Sequence, residues 1–278
     1  MNPETTPAAL QKKVSGSSFY AGMRVLPKPE REAMYAVYGF CRIVDDIADE
    51  PGDEQARAAE LAAWCADIES LYAGGPPGRA MLVAEAVRRF GLDKADFLAV
   101  IDGMAMDLAA DIRWPDFATL DLYCDRVASA VGRLSVKIFG MEHDTGIALA
   151  HHLGRALQFT NILRDIDEDA EIGRVYLARE HLEAAGVALE TPAQLARDPG
   201  VDAAARALAA KAQAHYQEAQ AILARRPKGH LLAPRLMAAV YAPILKRMQA
   251  TGWQPPRTRI SVNKAALLFT VARLSLFR

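Results

Sequence analysis

The sequence predicts an all-α protein that forms one helical domain over residues 1–278. Apolar residues recur with the 3.6-residue period of a helix along nearly every segment, and runs of β-branched residues are short. No internal repeat or shift in composition marks a domain boundary. Because hydrophobic residues make up 51% of the chain, a buried core is expected at this length. Residues 1–14 are expected to form a flexible N-terminus.

Proline and glycine residues divide the chain into nine predicted helices, with breaks such as Pro51-Gly52 and Pro255-Pro256 between them. In chain order these helices cover residues 30–48, 54–73, 78–90, 94–111, 117–139, 146–169, 201–225, 229–250 and 262–277. The last helix is apolar, and its segment up to Arg278 carries three charges, so we expect it to close the bundle. The alternative is a short helix that lies on an anionic membrane surface.

Charge and cysteine content exclude several classes of protein. A net charge of −1 provides no basic field for nucleic acid. The three cysteines have no metal-like spacing and lie in apolar helical contexts, which favours reduced, packed thiols. The N-terminus lacks the apolar run of a signal peptide, and no window reaches the roughly 18 apolar residues that span a bilayer. We therefore expect a cytoplasmic protein, with peripheral contact with the inner membrane as the alternative raised by the last helix.

An acidic segment, DDIAD, ends the first predicted helix. At about 100° per residue, Tyr38, Arg42, Asp45 and Asp49 fall on one side, with Asp46 beside them; we call these five residues the first stripe. Its carboxylates repel one another and oppose the helix dipole. A solvated acidic helix end is one interpretation. A divalent cation would remove both penalties, and oxygen ligands favour Mg²⁺.

A second acidic segment, NILRDIDED, repeats the pattern. Asn161, Asp165 and Asp169 recur every four residues; we call these three residues the second stripe, with Gln158 one turn earlier and Arg164 flanking it. A polar outer helix face would explain one such pattern better than two. Oxygen ligands without histidine or thiolate again favour magnesium over zinc. Two acidic stripes that share cations predict a diphosphate as the bridging ligand, and ionisation of an allylic diphosphate as the chemistry.

Two further segments leave alternatives open. The residues Ser15, Gly16, Ser17 and Ser18 form either an N-terminal loop with capping hydroxyls or a phosphate-binding loop assisted by Arg42. Tyr123, Val127 and Val131 form another line on a mid-chain helix. This line is either ordinary core packing or the wall of an apolar tunnel with one hydroxyl at its mouth.

Together these segments resemble the squalene and phytoene synthase family. The matching motifs are SGSSFY from Ser15, MYAVYGFCRIVDDIADE from Met34, LYCDRVASAVG from Leu122 and ALQFTNILRDIDEDAEIGRVYL from Ala156, together with Tyr241 and Arg259. The resemblance extends from about residue 15 to about residue 265. Within the family, the opening SGSSFY and FCRIVDDIADE are most similar to the bacterial presqualene diphosphate synthases of hopanoid pathways.

The resemblance implies a helical isoprenoid synthase bundle with a central apolar cavity and two or three Mg²⁺ ions at its mouth. It implies metal ligation by Asp45, Asp49, Asn161, Asp165 and Asp169, with Asp46 supporting. It assigns Tyr123 to the reacting carbons, Val127 and Val131 to the tail pocket, and Gly173 to Tyr176 to a flap over the site. The residues implied to contact diphosphate are Ser15, Gly16, Ser17, Ser18, Tyr38, Arg42, Gln158, Arg164, Arg174, Tyr241 and Arg259.

The activity implied is head-to-head condensation of two farnesyl diphosphates to presqualene diphosphate. The released diphosphate or Tyr123 is expected to take the proton, and no NADPH is expected for this first half-reaction. Phytoene, dehydrosqualene or squalene synthesis is the alternative within the family. A non-catalytic helical scaffold is the alternative from another class. Prenyl diphosphates are the expected partners, without nucleic acid; downstream pathway enzymes and a membrane surface are further candidates.

Overall fold

A computed structural model describes residues 22–49, 52–109 and 112–261. Over these ranges the chain forms helices joined by turns and loops, apart from one isolated bridge between Arg113 and Val175. In chain order the helices are α1 (Lys28–Asp49), α2 (Glu54–Tyr72), α3 (Met81–Phe90), α4 (Lys94–Leu108), α5 (Phe117–Cys124), α6 (Ala130–Ile138), α7 (His143–Arg164), α8 (Ile166–Glu171), α9 (Arg179–Ala184), α10 (Pro192–Ala196), α11 (Val201–Ala224) and α12 (Leu232–Thr251). The all-α fold class is confirmed.

Helix α1 is amphipathic and packs its apolar face inward. Val37, Phe40 and Val44 recur on that face and are fully buried. The Phe40 ring meets Trp64 of α2 and Phe97 of α4 edge-on, with ring centroids 5.5 and 5.2 Å apart. Burial of this face fixes the opposite side of α1, which carries the first stripe.

Helix α7 is the central helix of the bundle and packs against α6, α11 and α12. Its apolar residues, among them Leu149, Phe159 and Leu163, belong to a second core cluster that extends over α11 and α12. The buried indole of Trp253, just after α12, donates a hydrogen bond to the Leu163 carbonyl at 2.8 Å. This bond satisfies one of the last carbonyls of α7, which have no partner within the helix.

A π-helical segment, Asp125–Ser129, joins α5 to α6. Two glycines provide room for it. A Cβ on Gly103 of α4 would lie 2.6 Å from Val127 Cγ1, and one on Gly154 of α7 would lie 2.8 Å from Ser129 Cα. The segment is therefore held between α4 and α7 at distances that only glycine permits.

Most predicted helices match the observed ones to within a few residues, but one prediction was wrong. The predicted helix 146–169 is interrupted at Asp165, whose backbone angles (φ −108°, ψ 20°) end α7 before α8 begins. The Asp169 N–H still donates to the Asp165 carbonyl at 2.8 Å, so the helical spacing continues across the break. The short helices α9 and α10 were not predicted, because segments of five or six residues contain too few turns to show a period.

Several predictions fall outside the described residues. These are the flexible N-terminus at 1–14, the loop Ser15 to Ser18 and the last helix at 262–277. Within the ranges given above, no helix combines the length and apolar composition needed to cross a bilayer. Cys41, Cys65 and Cys124 are free thiols, and burial, with the neighbouring Asp45 charge, raises the pKa of Cys41 to about 12.

Candidate active site

A cavity of about 320 Å³ lies between α1, α6, α7 and α12. Helix α1 lines it with Met34 and then with polar residues of the first stripe, and α7 lines it with Leu149 to Leu157 before Gln158 and Asn161. The cavity is therefore apolar along most of its length and polar where α1 and α7 end. Of the predicted site residues, those lining it are Tyr38, Arg42, Asp45, Tyr123, Val127, Val131, Gln158 and Asn161.

The first stripe contains one arginine among three carboxylates. Arg42 donates hydrogen bonds to Asp45 at 2.6 Å and to Asp46 at 2.9 Å. These hydrogen bonds do not offset the effect of burial on the pKa of Asp45. Desolvation, followed by the nearby Asp49 charge, raises the pKa of Asp45 to about 6. The negative charge of the Asp45 carboxylate, which lines the cavity, is therefore only partly compensated by neighbouring positive charge.

Arg174 links the first stripe to the loop after α8. Its guanidinium donates a hydrogen bond to Asp49 at 2.7 Å and another to the Ala48 carbonyl at 3.3 Å, at the end of α1. The loop itself is anchored by the Trp114 N–H, which donates to the Val175 carbonyl at 2.8 Å. Arg174 thus lies over the end of α1, in the segment to which the family resemblance assigns a flap.

Asn161, the first residue of the second stripe, carries an unsatisfied acceptor. Its Oδ1 atom is buried and accepts no hydrogen bond from any residue in the described part of the chain. A buried amide oxygen without a donor costs about 1–3 kcal/mol. Because this oxygen lines the cavity, a cation or a ligand donor bound there would remove the cost.

The two aspartates of the second stripe differ in their charge compensation. Arg164 and Arg259 both donate to Asp165, with Nε to Oδ1 distances of 2.8 Å each. Burial raises the pKa of Asp165, but these two guanidinium groups outweigh it and hold the pKa below its usual value. Among the described residues, no arginine donates a hydrogen bond to the Asp169 carboxylate. Burial, followed by the charge of Asp165, raises the pKa of Asp169 to about 7.

Asp107 of α4 was not predicted, although it lies between the two stripes. Its carboxylate accepts hydrogen bonds from the hydroxyls of Tyr176 at 2.7 Å and Tyr123 at 3.0 Å. Its charge contributes to raising the pKa of both Asp45 and Asp169, so it is close to each stripe. A single carboxylate within the apolar segment AMDLAA was the available signal.

Tyr123 and Tyr176 form a stacked pair beside the cavity. Their ring centroids are 5.1 Å apart and the ring planes are inclined by 19°. Burial, followed by the Asp107 charge, raises the pKa of Tyr123 well above its ordinary value. The Tyr123 hydroxyl is therefore a neutral hydrogen-bond donor at physiological pH, oriented by Asp107.

The remaining predicted residues lie nearby. Val127 of the π segment and Val131 of α6 line the cavity, and Val127 also packs against both core clusters. Tyr241 of α12 is buried and interacts with the Arg164 guanidinium. Helices from distant parts of the sequence therefore bring an apolar cavity, two acidic stripes and four arginines together. Such a site suits a ligand with an apolar tail and a polyanionic head that binds together with cations.

Comparisons with known proteins agree with this combination. The sequence profile of the squalene/phytoene synthase family matches residues 12–266. The chain is 60% identical over 268 residues to the presqualene diphosphate synthase of Zymomonas mobilis, covering 95% of this chain and 92% of that protein. It is 53% identical over 260 residues to the presqualene diphosphate synthase of Rhodopseudomonas palustris, covering 94% and 93% of the two chains. A crystal structure of a dehydrosqualene synthase in complex with ligand is similar in fold, with a TM-score of 0.79 and 25% identity over 98% of this chain and 95% of that chain.

Proposed function

The chain belongs to the squalene/phytoene synthase family, and from this premise we propose that it condenses two farnesyl diphosphates head to head into presqualene diphosphate, releasing one diphosphate. Presqualene diphosphate synthases similar to it over nearly the full length of both chains support this choice of product. The observation that carries the proposal is the cavity, which is apolar along α7 and ends in polar residues of both acidic stripes.

The oxygen atoms available as metal ligands at this site suit Mg²⁺. The unsatisfied Asn161 oxygen, together with the undercompensated carboxylates of Asp45 and Asp169, offers hard oxygen ligands. We propose that Asp49 completes this set, with Asp46 supporting it through Arg42. Asp165 would join after one of its arginines turns to the substrate, since both of its oxygens now accept hydrogen bonds from Arg164. When bound, the ions neutralise diphosphate charge and make it a better leaving group.

Substrate binding and the chemical steps would then follow in this order. Arg42, Arg164, Arg174 and Arg259 bind diphosphate oxygens, and the apolar wall of the cavity excludes water from the farnesyl tails. The C1–O bond of one farnesyl diphosphate breaks, and the electron pair leaves with the diphosphate. The C2=C3 double bond of the second molecule attacks C1 of the first. Loss of one proton from that C1 then closes the cyclopropane.

The proton acceptor is better assigned to the released diphosphate than to Tyr123. The Tyr123 hydroxyl is buried, already donates to Asp107, and has a pKa raised well above the ordinary value. A neutral phenol in that position is a weak base. We therefore propose that Tyr123 orients the reacting carbons, and that Asp107 and Tyr176 position its ring.

Product analysis tests the proposal. The protein is incubated with farnesyl diphosphate and Mg²⁺ without NADPH, and the products are identified by mass spectrometry. We expect presqualene diphosphate and free diphosphate in equal amounts. Dehydrosqualene as the end product would contradict the proposal, as would squalene when the incubation is repeated with NADPH as hydride donor. Phytoene formed from geranylgeranyl diphosphate when farnesyl diphosphate is not consumed would contradict it as well.

A pair of carboxylate variants tests the site itself. Asp169→Asn is expected to lower kcat by at least about a hundredfold, because a ligand for the cation that stabilises the leaving group is lost. Asp144→Asn is the matched control, since Asp144 is exposed in the first turn of α7. Equal activity of the two variants would contradict the assignment.

Further proposals concern the domain organisation and residues or partners outside the described structure. We propose that the chain forms a single catalytic domain and that Ser15 to Ser18 contact diphosphate. We also propose that residues 262–277 close the bundle, with contact with a membrane surface as the alternative. Docking of a downstream enzyme that accepts the apolar product is proposed on chemical grounds, because presqualene diphosphate carries two long tails.

A further inference from the structure

Three of the six histidines meet on the side of the bundle where α7 packs against α11. His151 and His152 are adjacent on α7, and His215 lies on α11. One nitrogen from each can be chosen so that all three lie within 4.8 Å of one another. Each side chain is partly buried. Sequence spacing does not bring the three histidines together, because His215 is 63 residues from His152.

The spacing of the imidazoles is near that of a metal site. His152 Nδ1 and His215 Nδ1 share a hydrogen bond at 3.0 Å, which a shared metal ion would replace. In a tetrahedral zinc site with Zn–N bonds of about 2.0–2.1 Å, neighbouring nitrogens are about 3.3 Å apart. The His151 ring is 4.8 Å from the His152 ring and 5.6 Å from the His215 ring, centroid to centroid. A nitrogen of His151 lies within 4.8 Å of the other two, so the three side chains would have to draw closer to share one ion.

The electrostatic surroundings are compatible with a cation. Arg155 is the nearby positive charge, but Asp121 accepts hydrogen bonds from it at 2.7 and 2.8 Å and Asp125 accepts another at 3.1 Å. Burial, followed by the neighbouring histidines, lowers the pKa of His215 to about 4. Its imidazole is therefore neutral at physiological pH, which is the form that binds metal.

This cluster is separate from the acidic stripes. His152 precedes Asn161 by nine residues, which places it about 13 Å away along the axis of α7 and on the opposite face. The three ligands are also nitrogens, whereas both stripes offer only oxygens. Magnesium prefers oxygen, while zinc and copper bind imidazole well.

We propose that His151, His152 and His215 form a second metal site, which takes a nitrogen-binding divalent cation such as Zn²⁺ or Cu²⁺ and joins α7 to α11. Three protein ligands leave a fourth position for water. The bound ion acts as a structural clip on the helix that carries the second stripe. Because the ion binds the folded chain and not the unfolded one, it raises the free energy of unfolding.

Metal binding is tested on the full chain in excess Mg²⁺, so that the carboxylate stripes are already supplied with their preferred ion. One equivalent of Cu²⁺ is added, and its electron paramagnetic resonance spectrum is recorded. Hyperfine lines from at least two imidazole nitrogens are expected. A spectrum without nitrogen coupling would overturn the proposal. This measurement needs no variant and no catalytic activity, so it stands apart from any test of the condensation reaction.

Zinc titrations of variants assign the ligands. We expect Zn²⁺ to raise the melting temperature of the wild type and of His143→Ala, whose histidine is exposed at the start of α7. His215→Ala is expected to bind Zn²⁺ at least about tenfold more weakly. An unchanged zinc response in His215→Ala would overturn the assignment. If His215→Ala loses its far-ultraviolet circular dichroism, His152→Ala is measured in its place, with the same two outcomes.

Discussion

The carboxylates around the cavity fall into two groups at the residue scale. Asp165 is neutralised by Arg164 and Arg259, and its pKa is lowered. Asp45 and Asp169 are undercompensated, and their pKa values are raised. The metal-free fold therefore holds unfavourable charge beside the polar end of the cavity. Cation binding is expected to be tightest at the carboxylates that the protein leaves least satisfied.

Proton competition at Asp45 and Asp169 predicts how activity depends on pH. With pKa values of about 6 and about 7, both carboxylates lose charge as the pH falls through this range. At limiting Mg²⁺ we expect activity to decline below about pH 7, and we expect saturating Mg²⁺ to move that decline to lower pH. Initial rates measured at two Mg²⁺ concentrations from about pH 5 to about pH 8 check this. A decline at the same pH for both concentrations would contradict it.

Removing the Asp45 charge is predicted to stabilise the metal-free protein. The folded pKa of about 6 lies above the ordinary value of 3.8. Protonated Asp45 therefore favours the folded state below about pH 4, and this contribution is lost as the pH rises through about 6. For Asp45→Asn in chelator we expect the free energy of unfolding at pH 7.5 to increase by about 1 kcal/mol, after allowance for partial exposure.

Urea unfolding at two pH values checks the Asp45→Asn prediction. The difference from the wild type should shrink at about pH 4, where Asp45 is largely protonated. Mg²⁺ should stabilise the wild type more than the variant, because the variant lacks one anionic ligand. A variant that is less stable than the wild type at neutral pH in chelator would show that the Arg42 contact outweighs the repulsion.

The sequence could predict site residues that share one helix but not those that meet across helices. Arg42 and Asp45 are three residues apart, so helical spacing alone places them together. Asp107 is about sixty residues from either stripe, and only the packing of α4 brings it between them. Arg174 reaches Asp49 across 125 residues. The resemblance supplied Arg174, whereas no motif identified Asp107.

At the scale of elements, the π segment is fixed by close approach to its neighbours. Gly154→Ala would place a Cβ 2.8 Å from Ser129 Cα and 2.9 Å from Ser129 N. Because backbone must move to relieve this contact, we expect a loss of about 1–3 kcal/mol in the free energy of unfolding. The displaced segment carries Val127, so kcat/KM for farnesyl diphosphate should fall as well.

The matched control is Gly52→Ala, where an added Cβ meets no atom within 4 Å. This change is expected to leave the unfolding free energy within about 0.5 kcal/mol of the wild type. Guanidinium unfolding of both variants gives the comparison. Equal stability of Gly154→Ala and Gly52→Ala would mean that α7 and the π segment move apart easily.

Sequence periodicity located the long helices but not the details that position the site. Helix α1 was predicted within two residues at its start and one at its end, because its apolar face is continuous. The break at Asp165 was missed, since i→i−4 hydrogen bonds on both sides preserve the spacing of side chains. The π segment was missed for a related reason, because one wider turn hardly alters the apolar pattern of residues 117–139.

At the scale of the whole molecule, the cavity connects the two core clusters. Val131→Phe is predicted to fill part of it from α6. We expect kcat/KM for farnesyl diphosphate to fall by about tenfold or more and that for the shorter geranyl diphosphate to fall less, because added volume excludes the longer tail first. Steady-state rates with both substrates, together with the melting temperature, separate lost space from misfolding.

Leu122→Phe provides the control for Val131→Phe, since Leu122 is 46% exposed on α5 and the change places the same phenyl ring outside the cavity. The kcat/KM values of Leu122→Phe should match those of the wild type with both substrates. If Val131→Phe lowered the two rates equally while its melting temperature was retained, Val131 would not line the tail pocket.

The hydrogen bond between Trp253 and Leu163 also makes the Trp253 indole an intrinsic fluorescent probe of the end of α7. The indole is 2% exposed, and its N–H is held by a carbonyl two residues before Asp165. Its ring also lies 5.9 Å from the Arg206 guanidinium. Indole fluorescence shifts to longer wavelength when the ring meets water. The chain has two other tryptophans, Trp64 and Trp114. With both replaced by phenylalanine, emission from Trp253 should follow movement of the end of α7, so that substrate and metal binding can be timed in a stopped-flow instrument without an added label.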